Sequence, residues 1–209
     1  MRRTSLIRDY GKLPTLSTNR LSRRLAQIMA MLLCIFAAAV HADADKSIDV
    51  TVGIRDHEIS VDVQCYVRVN AHEAWSVMSD FDHATRFISK LEKSVILSRS
   101  GDMLVLWQKG NMGFGPFSIP IETVAEIRMT PFEKIQSHLL RGNMKKNEAV
   151  TRLIPDAAGT RIVYHLESIP DAWIPPIIGR ALVEYETRAR FGELLDEMLR
   201  RKGLADAKR

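Results

Sequence analysis

The 209-residue chain carries a formal net charge of +5, but residues 1–42 take seven of its 30 Lys and Arg and one of its 25 Asp and Glu, leaving residues 43–209 at −1. That balance excludes a nucleic-acid partner held by a basic surface, because such binding works by displacing counterions from phosphates. Beyond residue 42 only Cys65 remains, which excludes an internal disulfide there, and a segment of this size forms one ordinary domain with its own core rather than two.

Arg2, Arg3, Arg8, Lys12, Arg20, Arg23 and Arg24 precede a run without polar side chains from Ile28 to Val40, 13 residues long. A basic segment followed by an apolar run of this length predicts a signal peptide, since a bilayer-spanning helix needs about 20 apolar residues. Val40-His41-Ala42 places small or modest side chains where a signal peptidase reads, so cleavage is expected after Ala42 and, second, after Ala44. Periplasmic export is the expectation, with an uncleaved anchor as the alternative. Leu33 stands where a lipoprotein signal before Cys34 needs a small residue, which argues against lipidation. Residues 43–56 then read as a flexible mature N-terminus, 57–202 as one domain and 203–209 as a tail.

His57 to Asn70 alternates, with Ile59, Val61, Val63, Cys65, Val67 and Val69 on one parity and mostly polar residues on the other, which predicts a long strand with one wet face. Asn70 with Glu73 three residues on forms the signature of a helix N-cap, and Ala74, Trp75, Val77 and Met78 follow at helical spacing. A second short helix is expected through His83 to Phe87, capped by Asp82. From residue 94 to 168 the chain reads as six further strands: 94–99, 103–109, 117–129, 134–141, 148–154 and 160–168. Ser100-Gly101-Asp102, the glycine-rich stretch 110–116, Pro131, residues 142–147 and residues 155–159 separate them as turns. The stretch 110–116 lacks the lysine and the strand-to-helix setting of a phosphate loop. Pro176 suits the first turn of a helix running to about Arg201 and ended by Gly203. Its expected apolar stripe is Ile178, Ala181, Leu182, Tyr185 and Ala189, rotating into Phe191, Leu195, Met198 and Leu199.

One strand, two short helices, six antiparallel strands and a long C-terminal helix close most simply as an α+β fold, a seven-stranded curved antiparallel sheet wrapped around that helix. A curved sheet cannot press fully on a straight helix, so a cavity is expected between them. Val67-Arg68-Val69-Asn70-Ala71-His72-Glu73-Ala74-Trp75-Ser76-Val77-Met78-Ser79-Asp80-Phe81 and Phe191-Gly192-Glu193-Leu194-Leu195-Asp196-Glu197-Met198, with this order of elements, resemble the START-like (SRPBCC) helix-grip superfamily over residues 60–201. The likeness is strongest to its polyketide cyclase/dehydrase and coenzyme-Q-binding-like members. That resemblance implies the helix-grip fold and leaves function open among carriers of lipids, sterols and quinones, aromatic cyclases, hormone receptors and ribosome-associated toxins.

The expected ligand-binding wall is Val63, Cys65, Val67, Trp107, Tyr164, Leu166, Ile178, Leu182 and Tyr185. No catalytic residue and no metal ligand is expected: His57, His72, His83, His138 and His165 stand at no metal spacing, and no serine or cysteine has a base nearby in sequence. Cys65 on the apolar parity reads as a small hydrophobe. Tyr164, Tyr185, Gln108 and Glu184 are the candidates for acid–base work in a cyclase, though buried tyrosines ordinarily serve as wall. Arg180 and Arg188 read as cations at the cavity mouth or, more simply, as i,i+4 partners of Glu184. The patch of Trp173, Ile174, Pro175, Pro176 and Ile177 reads as a cover over the sheet's open end or as a site of transient membrane contact. The leading expectation is a periplasmic binder or carrier of an apolar or amphiphilic small molecule of lipid, isoprenoid or quinone type, with no cofactor. A cyclase or dehydratase acting on a hydrophobic substrate and an envelope protein-interaction domain are the alternatives.

Overall fold

The computed structural model describes residues 45–113, 118–171 and 176–207, the last of these by backbone alone over 176–178. The chain divides into two units, Met1–Ala42 and Asp43–Arg209, and the elements that follow belong to the second. Strands β1 (Lys46–Arg55) and β2 (Glu58–Val67) form a hairpin in full register, Lys46 opposite Val67 and Arg55 opposite Glu58. Asp56 and His57 join them with φ of 48° and 74°. Positive φ at both turn residues is the two-residue turn whose twist matches paired strands. The segment 43–56, expected to be flexible, is therefore largely an eighth strand. It pairs because Ile48, Val50, Val52 and Ile54 alternate in step with the apolar parity of β2 and face the same side.

Helix α1 (Ala71–Met78) starts as expected: the Asn70 side chain accepts from the Glu73 amide and the Glu73 carboxylate from the Asn70 amide, both at 2.9 Å. A 3₁₀ helix follows at Phe81–Arg86, two residues earlier than Asp82 as a cap would set it. Asp80 precedes it instead, and its carboxylate is held by His83 Nδ1 and by the Arg201 guanidinium, each at 2.7 Å.

The remaining strands are β3 (Leu91–Ser100), β4 (Met103–Met112), β5 (Ile119–Thr130), β6 (Lys134–Gly142), β7 (Met144–Asp156) and β8 (Gly159–Pro170). The sheet order is β1-β2-β8-β7-β6-β5-β4-β3, antiparallel throughout, so β1 and β3 are its edges. Residues 144–147, expected in a turn, belong to β7. The ladder between β6 and β7 stops at His138–Glu148; beyond it β6 stays paired to β5, and β7 to β8. The sheet thus parts in its middle and closes again only at the Gly142–Asn143–Met144 connection. At β4, Gly110 passes so close to the chain entering β3 that a Cβ would stand 2.4 Å from the Lys90 carbonyl oxygen.

Helix α2 (Pro176–Asp206) runs through Gly203 rather than ending there. Its buried stripe is Val183, Phe191, Leu194, Leu195 and Met198, whereas Tyr185 is 61% exposed and Ala181 and Ala189 face solvent. Phe191, Leu195 and Met198 are as expected, whereas the first part of the expected stripe, through Ala181, Tyr185 and Ala189, lies about half a turn off. Residues two apart on a helix sit on opposite sides, so choosing Tyr185 over Val183 inverts the face. The second half of α2 packs on Val50, Val61, Val63, Val67 and Ile162 from β1, β2 and β8. Under α1 a second cluster gathers Leu104, Leu106, Ile127, Met129 and Ile135 against Trp75, Met78 and Phe81. Glu197, 8% exposed, ties this closed end together by accepting from Arg200 at 2.6 Å and Arg201 at 2.7 Å. Hydrogen bonds from Arg200 outweigh the effect of burial, and with Arg201 they hold the Glu197 carboxyl down at about 2.

Candidate functional site

Cross-strand partners share a face, so the register assigns every strand residue to the concave or the convex side. On the concave side the groove is packed where α1, the 3₁₀ helix and the end of α2 lie across it. At the opposite end, under the first turns of α2, it holds a cavity of about 250 Å³. Ile59 of β2, Leu166 of β8, Ile119 and Ile121 of β5, Met112 of β4 and Val183 of α2 form its walls. Such a volume is far above the size of one water, and apolar walls of this kind hold an apolar guest better than solvent.

Four polar residues stand around the apolar walls: Asn143, Asn147, Ser168 and Asp171. Two are committed to the fold. The Asn143 amide donates to the Pro120 carbonyl at 2.6 Å and accepts from the Glu122 amide at 2.9 Å, and the Ser168 hydroxyl donates to the Lys146 carbonyl at 3.2 Å. The side chains of Asn147 and Asp171 have no hydrogen-bond or ionic partner among the described residues. Beside the cavity, Glu186 of α2 accepts from the Gly113 amide at 3.2 Å and from Lys90, whose ammonium also donates to the Gly113 carbonyl at 2.8 Å. This clamp holds the end of β4 against α2 and so fixes the separation of the Met112 and Val183 walls.

Of the residues expected on the wall, the structure places one there, Leu166. Val63, Cys65 and Val67 have the right parity but lie deeper, 0%, 2% and 0% exposed beneath the second half of α2. Burial pushes the Cys65 thiol up to about 12, so it is an inert hydrophobe. Tyr164 borders the core, its ring centroid 5.2 Å from that of Phe191, and burial raises its hydroxyl to about 12 against a small opposing effect of Arg190. Leu182 is half-buried outside the wall, and Tyr185 points to solvent. Trp107 lies on the convex face, opposite Val95 and Val124. β4 is apolar on both parities, and its pairing with β5 puts Leu104 and Leu106, not Trp107, on the concave side. The side chain of Ile178, the patch at Trp173 and residues 114–116 lie outside the described residues. Arg188 bonds Glu184 at 3.4 Å and the Ile48 carbonyl at 2.7 Å, so it is spent on the fold. Gln108 faces inward and donates to Ser94 at 3.2 Å. No group of three or more His, Cys, Asp or Glu able to hold a metal occurs among the described residues. Sequence reasoning missed Ile59, Met112, Ile119, Ile121 and Val183. Ile59 shares the parity of Val63, while Ile119 and Ile121 alternate around Pro120 in a strand whose inner face was undetermined.

The sequence profile described as polyketide cyclase / dehydrase and lipid transport matches residues 67–207. The chain belongs to that family. Solved structures of this fold agree with the assignment. The Zhui aromatase/cyclase from Streptomyces sp. R1128 superimposes with a TM-score of 0.60 at 18% identity, covering 69% of this chain and 96% of its own. A START superfamily protein from Mycobacterium smegmatis gives 0.57 at 16%, covering 68% and 97%, and a STAR-related lipid transfer protein from Xanthomonas axonopodis gives 0.54 at 12%, covering 71% and 98%. At these identities the likeness is one of fold. No curated protein matches the sequence significantly. The chain, a member of the polyketide cyclase/dehydrase and lipid transport family, has an α+β fold consistent with the helix grip, with eight strands among the described residues rather than seven.

Proposed function

We propose that this protein binds and carries a small amphiphile of lipid, isoprenoid or quinone type in the bacterial periplasm, apolar body inward and polar end at the rim. The observation that carries the reading is the apolar cavity of about 250 Å³ between the sheet and the start of α2, with the side chains of Asn147 and Asp171 beside it without a partner among the described residues. Small-molecule pockets usually run from about 300 to 1,000 Å³, so this one suits a compact guest or one chain's end rather than a whole diacyl lipid. Family membership and likeness to lipid-transfer and aromatase/cyclase proteins support a hydrophobic guest. The basic and apolar run in residues 1–42 supports export. Against a domain serving only protein contacts stands the cavity itself, since such a domain has no use for an empty interior.

Native mass spectrometry of protein isolated from the periplasm is expected to show a mature N-terminus at Asp43 and a co-purifying small molecule. Asp171→Asn with Asn147→Ala is expected to weaken retention of that molecule several-fold with folding intact. An empty protein whose melting temperature no lipid, isoprenoid or quinone shifts refutes the carrier reading. An N-terminus at Met1 refutes cleavage.

A further inference from the structure

On the convex face, beside the edge strand β3, Trp107 sits in a groove of about 650 Å³ whose other walls include Leu97, Val124, Lys109 and Arg141. Val95 and Leu97 of β3 are 42% and 49% exposed. Lys93 places its ammonium 5.3 Å from the Trp107 ring centroid. The indole N–H donates to Glu122 at 2.9 Å, the one acid among the described residues lining this groove. Lys93, Lys109 and Arg141 form no ion pair among the described residues, whereas Arg128 on the same convex face is paired to Glu126 at 3.0 Å. Three unpaired cations around one aromatic ring and two exposed aliphatic side chains are therefore a local feature of a segment whose net charge is −1.

We infer that this face docks on an anionic lipid bilayer. Apolar exposure alone would suit many partners, but the cations select the negative one. An indole with an apolar body and a polar edge suits the headgroup level, and lysine and arginine stems lie along apolar surface while their charges reach phosphates. The location supports the assignment. Pro120 and Asn143 line both this groove and the concave cavity, at the place where β6 and β7 part, so a bilayer on this face touches the rim of the cavity. Docking gives the proposed carrier a place to meet its guest, but it rests on the groove and its charges and not on the carrier function.

The test uses the full chain with Trp75→Phe and Trp173→Phe, leaving Trp107 as sole tryptophan, its fold checked by circular dichroism and melting. With vesicles of phosphatidylglycerol carrying brominated acyl chains, Trp107 emission is expected to shift blue and be quenched, and to recover as salt is raised. A cation beside an anionic surface gains roughly fivefold in partitioning, so Lys93→Gln, Lys109→Gln and Arg141→Gln together are expected to weaken the quenching titration about a hundredfold. Since residues 1–42 can attach the chain to vesicles by themselves, attachment without quenching of Trp107 overturns the inference. Equal quenching by phosphatidylcholine overturns the anionic assignment. A blue shift that grows with protein concentration without vesicles assigns the face to a second copy of the chain and overturns it too. Guest uptake is read separately by native mass spectrometry: docking without uptake sinks the carrier alone, and uptake without docking sinks this proposal alone.

Discussion

Replacing Leu195 by alanine should cost far more than replacing Leu166, although both are leucines on the groove between sheet and helix. Leu195 is 0% exposed in the packed half, against β1 and β2, and its removal leaves a new void there. Leu→Ala at such a site costs about 3–5 kcal/mol, the lost transfer energy plus the cavity left behind. Leu166 is half-buried and already borders an empty cavity of about 250 Å³. Its truncation enlarges an existing void, so only part of the transfer energy of the side chain is lost, about 1–2 kcal/mol. For a domain of this size each kcal/mol moves Tm by about 2–4 °C, which puts Leu195→Ala about 10 °C below the wild type and Leu166→Ala about 4 °C below. Urea titrations of the two variants with unchanged m-values measure the difference directly. Costs within about 0.5 kcal/mol of one another would refute the contrast between a packed end and an open end, and with it the cavity as a site. Leu166→Ala should also take up bulkier apolar probes than the wild type, which Leu195→Ala should not.

Other consequences can be checked independently. Cys65, buried with its thiol at about 12, should resist alkylation at pH 8 in the folded protein and react on unfolding, as mass mapping of the Cys65 peptide would show. Glu197 has its folded pKa depressed to about 2, so its stabilising contribution is fully present above the ordinary value of 4.5 and is lost as pH falls through the folded value. Urea midpoints measured from pH 5 to 2 should therefore fall more steeply for wild type than for Glu197→Gln, and parallel curves would disprove the linkage. Gly110→Ala should destabilise by about 1–3 kcal/mol, because its Cβ meets the Lys90 backbone and not a side chain that can swing away. An unchanged melting curve would mean that β3 yields there.

The fold was legible where one physical signal dominates. β2 is apolar on one parity only, and Asn70 with Glu73 names a helix start with two reciprocal bonds. β1 has the same alternation in Ile48, Val50, Val52 and Ile54. It went unread because Asp56-His57 lacks the glycine or asparagine that usually announces a two-residue turn with positive φ. The site was less legible because its membership depends on pairing over long distances. Trp107 and Leu106 are equally apolar, and only the register with Val124 and Ala125 separates them. Val183 and Tyr185 are separated only by the rotation of α2, and the packing of Phe191 and Leu195, both in the expected stripe, sets that rotation in favour of Val183. Depth was also hidden: Val63 and Ile59 share a face of β2, but one sits under a helix and the other beside a void.

The parting of β6 from β7 gives this sheet a pair of edges in its own interior. From Leu139 to Asn147 each strand is bonded on one flank only, so the amides facing the gap must rely on water or a guest. Hydrogen exchange there should be fast although the strands lie at the centre of an eight-stranded sheet, and slowed exchange on adding a guest would report occupancy of the cavity. An open flank of this kind ordinarily invites another strand. Here the two flanks are tied to each other at Gly142–Asn143–Met144, with Asn143 pinned to β5, which leaves a window too closed at both ends for a foreign strand to run alongside.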